Sequence, residues 1–352
     1  MTTEHFSQPS IWARTWKGSR PFRPVFVVLV VVFVVLAIAQ PVFASAQNLQ
    51  NLLTSISVLW IVAMGMTLVL ITAGADLSVA PIGALAGILL AKLLQAGIPA
   101  WLAIIISLVG GAALGGLVNG TLIGRFNVSF FVVTLGTLTA FTGIVNLWSN
   151  TESIPVNEPV ILNLAVTRFL GLSGPVWIMI IIFVVTLFIQ QRTFFGRDVY
   201  AVGGSISAAR LSGIRVPRTI ILVYAFSGLC AAIAGIVAIS RIGVASPQVD
   251  ANLPLQAIAA VLLGGTALSG GTGGVVGTAF GVLFIGVLSN GLSIAGVPSF
   301  WQQIVTGVIL VVAVLADRIG LRRRTKSTTE TSGTQPPESI TAPEELAAKT
   351  SH

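Results

Sequence analysis

Residues 262–317 read LLGGTALSGGTGGVVGTAFGVLFIGVLSNGLSIAGVPSFWQQIVTGVILVVAVLAD. Two membrane-length apolar runs stand beside a dense scatter of glycine, with almost no charge. An apolar helix needs roughly 20 residues to cross a hydrocarbon core of about 30 Å. Gly264, Gly265, Gly270, Gly271, Gly273, Gly274 and Gly277 let helices pack backbone to backbone and let the chain break inside a membrane without exposing a side chain. This is the sequence grammar of a membrane transporter core.

Composition agrees with that reading along the whole chain. With 55% hydrophobic and 9% charged residues and a mean hydropathy of +0.96, the 352 residues cannot present a polar surface all round. Lipid must solvate much of the molecule. A net charge of +8 would raise nucleic acid as a partner in a soluble chain, but here the charges sit in a few connecting segments. No nucleic-acid partner is expected.

Ten apolar runs are predicted, at 25–44, 55–73, 79–97, 101–123, 128–149, 175–191, 219–241, 255–270, 274–296 and 300–316. The eighth is short and ends in glycine, as a broken or re-entrant segment would. Ten crossings put both termini on one side. Arg14, Lys17, Arg20 and Arg23 precede the first run, Arg125 follows the fourth, and Arg192, Arg197, Arg210, Arg215 and Arg218 lie between the sixth and seventh. Arg318, Arg322, Arg323, Arg324, Lys326 and Lys349 follow the last. By the positive-inside rule all four segments are cytoplasmic, and the alternation of ten crossings satisfies them together. The fold class expected is an all-α, polytopic integral membrane protein with both termini cytoplasmic. Residues 1–24 form a basic lead, 25–317 the transmembrane domain, and 318–352 a polar, disordered tail. The basic lead, first run and Ala44-Ser45-Ala46 also fit a secretory signal, although so long a lead and apolar run favour an anchor.

Several chemistries are excluded. Cys230 is the one cysteine, and His5 and His352 lie in the tails, so no metal centre is expected and no serine has a histidine base nearby. The chain lacks the Gly-Lys-Ser or Gly-Lys-Thr of a phosphate-cradling loop. Neither catalysis nor ATP hydrolysis is expected of this chain itself.

The longest polar interruption between runs is 192–218, RTFFGRDVYAVGGSISAARLSGIRVPR. Gly203-Gly204 breaks the chain, Ser205 can N-cap a helix of about two turns over 206–212, Gly213 suits its C-terminal cap, and Pro217 stops its continuation. An ordinary solvated loop fits the same composition. A second landmark is Gly74-Ala75-Asp76-Leu77-Ser78-Val79, where Asp76 or Ser78 can cap the third run. A proton relay through Asp76 is the sharper alternative, weakened by the lack of an obvious ionic partner.

These segments, in this order, resemble the permease subunits of bacterial ABC importers for ribose- and xylose-type sugars, over about residues 50–317. The resemblance implies that Gly203, Gly204, Ala208, Ala209, Arg210, Leu211, Ser212, Gly213 and Ile214 form a coupling helix that docks on an ABC ATP-binding subunit. Ser205 to Ser207 depart from relatives that carry acidic residues there. Gly74, Asp76, Leu77 and Ser78, with Gly264 and Gly265, match family motifs, although Ala80 replaces a more usual glycine. It further implies a periplasmic or lipid-anchored sugar-binding protein, a second permease copy, and a multi-pass location in the bacterial inner membrane. No cofactor binds this chain; ATP and Mg belong to the ATPase. The function implied is translocation of a monosaccharide. Nucleosides or branched-chain amino acids are alternatives within related permeases, and an ion-coupled carrier or passive polyol channel outside them.

A neutral sugar needs hydrogen-bonding groups and an aromatic face rather than ions. Asn119, Asn146, Thr266, Ser289, Asn290, Gln302 and Gln303, with Trp301 nearby, are therefore the candidates for its pathway, with helix-to-helix hydrogen bonds as the alternative for each. Glycines spaced by four, at 111/115, 116/120/124 and 273/277/281, are expected to line helix faces packed within one chain. Lys92 fits a snorkelling lysine. Arg241 and Asp250 fit a solvated outer loop or a contact for the binding protein.

Overall fold

A computed structural model of the chain describes residues 23–305, 307–309, 311, 312, 314 and 315. The basic residues before Arg23 and the tail 318–352 lie outside these. The elements are α1 (Arg23–Ala39), α2 (Ala46–Ile71), α3 (Val79–Gln95), α4 (Ala100–Gly124), α5 (Phe130–Ser149), α6 (Pro159–Val166), α7 (Gly174–Arg192), α8 (Phe194–Gly204), α9 (Ile206–Leu211), α10 (Val216–Ile242), α11 (Leu253–Leu263) and α12 (Val275–Ile294). A last helix, α13, begins at 299. Four two-residue strands, β1 (Ile154–Pro155), β2 (Arg168–Phe169), β3 (Leu172–Ser173) and β4 (Val244–Ala245), pair antiparallel as β1 with β4 and β2 with β3.

Among the described residues, α2, α4, α5, α7, α10 and α12 are long and apolar enough to cross a membrane. α1, α3 and α11 are shorter apolar helices. The eighth run ends early: α11 stops at Leu263, and the chain runs without helix from Gly264 to Gly274 before α12 begins. Within this stretch Gly264 and Thr266 are buried, whereas Leu268, Ser269 and Thr272 are exposed.

α10 is the axis of the packing, and the glycines of its neighbours explain why. A Cβ at Gly111, Gly115, Gly116, Gly120 or Gly124 of α4 would strike α10 backbone or Cβ atoms between Pro217 and Ala232. Gly83 and Gly87 of α3 meet Ala231, Gly235 and Ile239, while Gly65 of α2 meets Ser227 and Cys230. The expected small-residue faces thus pack within one chain. α4 keeps its stripe on α10 by passing through a π-helical stretch at Leu114–Gly120, which re-phases the face by one residue. Gly277 of α12 faces Gly264, just past the end of α11, and Gly281 faces Ala260 of α11 in the same way. Gly273 does not join them: it lies before the helix at φ +116°, because the chain must still turn there.

Side-chain and backbone contacts sort the connections into two ends. At one, Gly124 abuts Pro217, Gly203 abuts Ile71, and Gly271 N donates to Ile71 O at 2.8 Å. At the other, Ile154 pairs with Ala245, Val156 N donates to Gly243 O at 2.9 Å, and Asn48 pairs with Asn290. Arg125 and the 192–218 arginines belong to the first end, and Glu152 and Glu158 to the second.

The 192–218 segment departs from expectation in two respects. It holds two helices rather than one: Thr193 Oγ1 accepts from Gly196 N at 3.0 Å and caps α8, and Ser205 Oγ accepts from Ala208 N at 3.2 Å and caps α9. Pro217 does not end a helix but sits in the first turn of α10, where its missing N–H costs nothing. Gly213, at φ +79°, closes α9 as expected.

Candidate functional site: a polar cavity and the segment at the opposite end

The second end holds a cavity of about 240 Å³ lined by Ser55 and Leu52, Ile56 and Leu59 of α2, Gln256 of α11, Ile285, Gly286, Ser289, Asn290 and Ser293 of α12, and Gln302 of α13. Helical spacing builds it. Residues 52, 55, 56 and 59 share one face of α2, and 286, 289, 290 and 293 share one face of α12. Gln302 Nε2 donates to Ser293 Oγ at 3.2 Å, tying α13 to that face. Asn290 exchanges hydrogen bonds of 2.9 and 3.1 Å with Asn48 and also borders a second cavity of about 580 Å³. This larger space is edged by Gln50, Asn51, Thr54, Arg168, Ser173 and Arg241. Ser55 borders both, and its carbonyl accepts from Arg241 Nη1 at 3.4 Å. The smaller cavity offers hydroxyl and amide groups beside aliphatic walls and no formal charge.

Ser289, Asn290 and Gln302 are the three sequence candidates brought together there. Trp301 and Gln303 are exposed and line neither cavity. Thr266 is buried and its hydroxyl accepts from Gly274 N at 3.3 Å, closing the glycine-rich turn instead. Asn119 also lies elsewhere, donating to Ser78 Oγ at 2.7 Å. Ser55, Gln256 and Ser293 were not singled out from sequence. The i, i+3, i+4, i+7 placement of Gly286, Ser289, Asn290 and Ser293 is the signal that could have found Ser293.

Around Asp76 the structure builds a closed polar knot. α2 ends at Ile71, Ala73 takes φ +60°, and Gly74 N donates back to Val69 O at 3.1 Å, folding residues 72–78 inward. Asp76 is fully buried; its Oδ1 accepts from Ser78 N at 3.0 Å and Ser78 Oγ at 2.6 Å, and its Oδ2 accepts from Ser227 Oγ at 2.8 Å. Tyr224 OH donates to Ala75 O at 3.2 Å. Ser78 occupies the cap position of α3 without a side-chain cap bond, so Asp76 supplies the local anchoring and Ser78 relays it to Asn119.

At the first end, α8 and α9 divide their residues between two surfaces. Ala208, Arg210, Leu211, Ser212, Gly213 and Gly204 are exposed, Leu211 at 91%. Ala209 is buried and Ile214 half-buried, in a cluster with Val202 and Val216, so these two fasten α9 to its own chain. Gly203 faces inward too, its missing Cβ directed at Ile71 O. Tyr200 on α8 donates to Gly273 O at 2.6 Å. Burial pushes its phenol above the ordinary tyrosine value, partly opposed by the hydrogen bond from Gln190, which keeps the hydroxyl a donor at neutral pH.

Against known proteins, residues 48–314 match the family model described as branched-chain amino acid transport system / permease component. The chain belongs to this permease family. The permease is 38% identical to the ribose import permease protein RbsC of Escherichia coli K12 over 90% of its length and 99% of the relative's. It is 40% identical to RbsC of Bacillus subtilis over 85% and 92%, and 36% identical to the L-arabinose ABC transporter permease protein AraH of Azospirillum brasilense over 85% and 88%. No solved structure matches this permease. The described residues of the permease add what the likeness alone does not give: an uncharged cavity between α2, α11, α12 and α13, and a two-helix segment whose outward side is distinct from its inward side.

Proposed function

We propose that this permease is the membrane subunit of an ATP-driven importer that moves a monosaccharide across the bacterial inner membrane. The observation that carries the substrate class is the uncharged lining of the smaller cavity, in contrast to the larger one beside it, which Arg168 and Arg241 edge. A branched-chain amino acid would bring a carboxylate and an ammonium that need opposite charges when desolvated, and Asp, Glu, Lys and Arg are missing from that lining. Hydroxyls and amides against aliphatic walls suit a neutral polyol, which agrees with the ribose and arabinose relatives.

Ten crossings with both termini cytoplasmic are supported by the sorting of Arg125 and the 192–218 arginines to one end of the bundle. The exposed side of α9, with Ala208, Arg210, Leu211 and Ser212, is then the surface offered to an ABC ATP-binding subunit, which would hold ATP and Mg. A sugar-binding protein would deliver substrate at the opposite end, above the larger cavity, and a second permease copy would complete the pathway. Lipid meets the exposed apolar faces of α4, α5 and α7. Reconstitution of the permease with its ATPase and binding protein in vesicles tests this reading. Uptake of labelled ribose or arabinose that requires ATP, with leucine excluded, is expected; ATP-dependent uptake of leucine and no sugar would overturn the substrate class.

A further inference from the structure

The glycine-rich turn between α11 and α12 is held by one side chain from the segment proposed to dock the ATPase and by another from the helix that leads into it. Tyr200 of α8 donates to Gly273 O at 2.6 Å, and Gln190, at the end of α7, donates to Tyr200 OH. Gln190 Nε2 also reaches Gly273 O at 3.4 Å, while its Oε1 accepts from Val275 N at 3.1 Å, thereby capping α12 from another helix. Beside them Gly271 N donates to Ile71 O at 2.8 Å. Gly203 lies so close to the same carbonyl that any Cβ would collide with it, and a Cβ on Gly271 would lie 2.9 Å from Gly204 Cα. Together, α8 and the end of α7 therefore hold the last residue of α2, the turn at 271–273 and the first residue of α12.

Those two helices are the ones whose far halves line the uncharged cavity. Ile71 lies sixteen residues from Ser55 along α2, about 24 Å, and Val275 lies fifteen residues from Asn290 along α12, about 22 Å. Helices of this length pass displacement as rigid rods, and packed junctions shift between discrete arrangements rather than deform smoothly. We propose that Gln190 and Tyr200 are positioning residues forming a latch, by which movement of α8 and α9 is transmitted to α2 and α12 and so changes access to the cavity. The proposal rests on the coupling role assigned above to 192–218. It adds that the transmission runs through these two side chains and the turn at 270–275.

The test uses the assembled complex of permease, ATPase and binding protein in vesicles, with Cys230→Ala so that introduced cysteines report alone. Ser212→Cys, on the exposed side of α9, is first cross-linked to the ATPase; failure of that link removes the coupling role and the latch with it. In the same complex Ser289→Cys reports cavity access through its rate of modification by a small methanethiosulfonate, with and without ATP and vanadate. A change of about five-fold or more with nucleotide is expected in the parent. Tyr200→Phe, which keeps the ring and removes the donor, should abolish most of that change while the attached ATPase still hydrolyses ATP. Gln190→Met should do the same, and the double variant should be no worse than either, since one latch is broken once. A Tyr200→Phe complex that keeps the parent's full nucleotide response overturns the proposal, as does a parent with no response. Loss of hydrolysis and response together, in step with lost complex, shows a merely structural contact and overturns it equally. Should Tyr200→Phe fail to assemble, Gln190→Met decides by the same readout.

Discussion

Asp76 is fully buried and accepts three hydrogen bonds from two serines, one 151 residues away. Removing it strands Ser227 and Ser78, so Asp76→Ala should destabilise the permease by about 3 kcal/mol, given about 1–3 kcal/mol for each buried partner left unpaired. Asp76→Asn keeps one acceptor oxygen, and Ser227 can turn to accept from the amide; its loss should be nearer 1 kcal/mol. Denaturation in detergent separates the two, and equal losses would show that the knot is not held by hydrogen bonding. The sequence marked Asp76 and Ser78 through their local motif. It could not reveal Ser227 or Asn119, because serine and asparagine inside apolar runs carry no mark of which helix they will face. Gly203 and Gly213 show the same limit. The sequence reads Gly203 as a break ahead of a short helix and Gly213 as that helix's C-terminal cap; Gly203 is fixed by contact with Ile71 O, whereas Gly213 is fixed by its φ of +79°, with no described atom within 4 Å of a Cβ there. Gly213→Ala should cost about 1–2 kcal/mol of backbone strain, and Gly203→Ala more, because backbone must move. Equal melting temperatures for the two would refute that ranking.

Helix faces were legible where spacing repeats and obscured where composition hides it. The four-residue glycine period identified the α4 stripe before its partner was known, and the structure gives it α10. Gly116→Leu or Gly120→Leu should therefore separate α4 from α10: the first added carbon would already lie 2.7 Å from Ala225 Cβ or Ile221 Cα. Loss of the folded protein from mild detergent, measured as aggregation in size-exclusion chromatography, is the expected result. Leucine at Gly136, whose Cβ would have no described atom within 4 Å, should be tolerated by the folded subunit. The α8 helix was missed because Gly196, Gly203, Gly204 and scattered charges blur its apolar period; Thr193 three residues before Gly196 was its one capping cue. Gly273 fitted a four-residue series with Gly277 and Gly281, but a period cannot say where a helix starts.

Across the whole molecule, the ends of the bundle do different work. The segment with α8 and α9 gathers arginines and glycine junctions, while the other end holds the uncharged cavity, and α2 and α12 join them. The all-α membrane class could be read from run lengths, since those depend only on hydrocarbon thickness. The cavity could not, because it needs one face from each of four helices at matched depth; only Ser289, Asn290 and Gln302 of the eight proposed pathway residues reach it. Replacing Asn290 by leucine would fill it and remove its amide. Uptake should fall about ten-fold or more with ATP hydrolysis retained, as for a lost buried hydrogen bond of about 1.5 kcal/mol or more; unchanged uptake would place the pathway elsewhere. The most direct measurement is sugar uptake by vesicles holding the purified complex, followed with ATP, without ATP, and with an ion gradient alone. Accumulation of ribose or arabinose only when ATP is present is the predicted result; accumulation driven by the ion gradient, or equilibration without ATP, would contradict an ATP-driven importer.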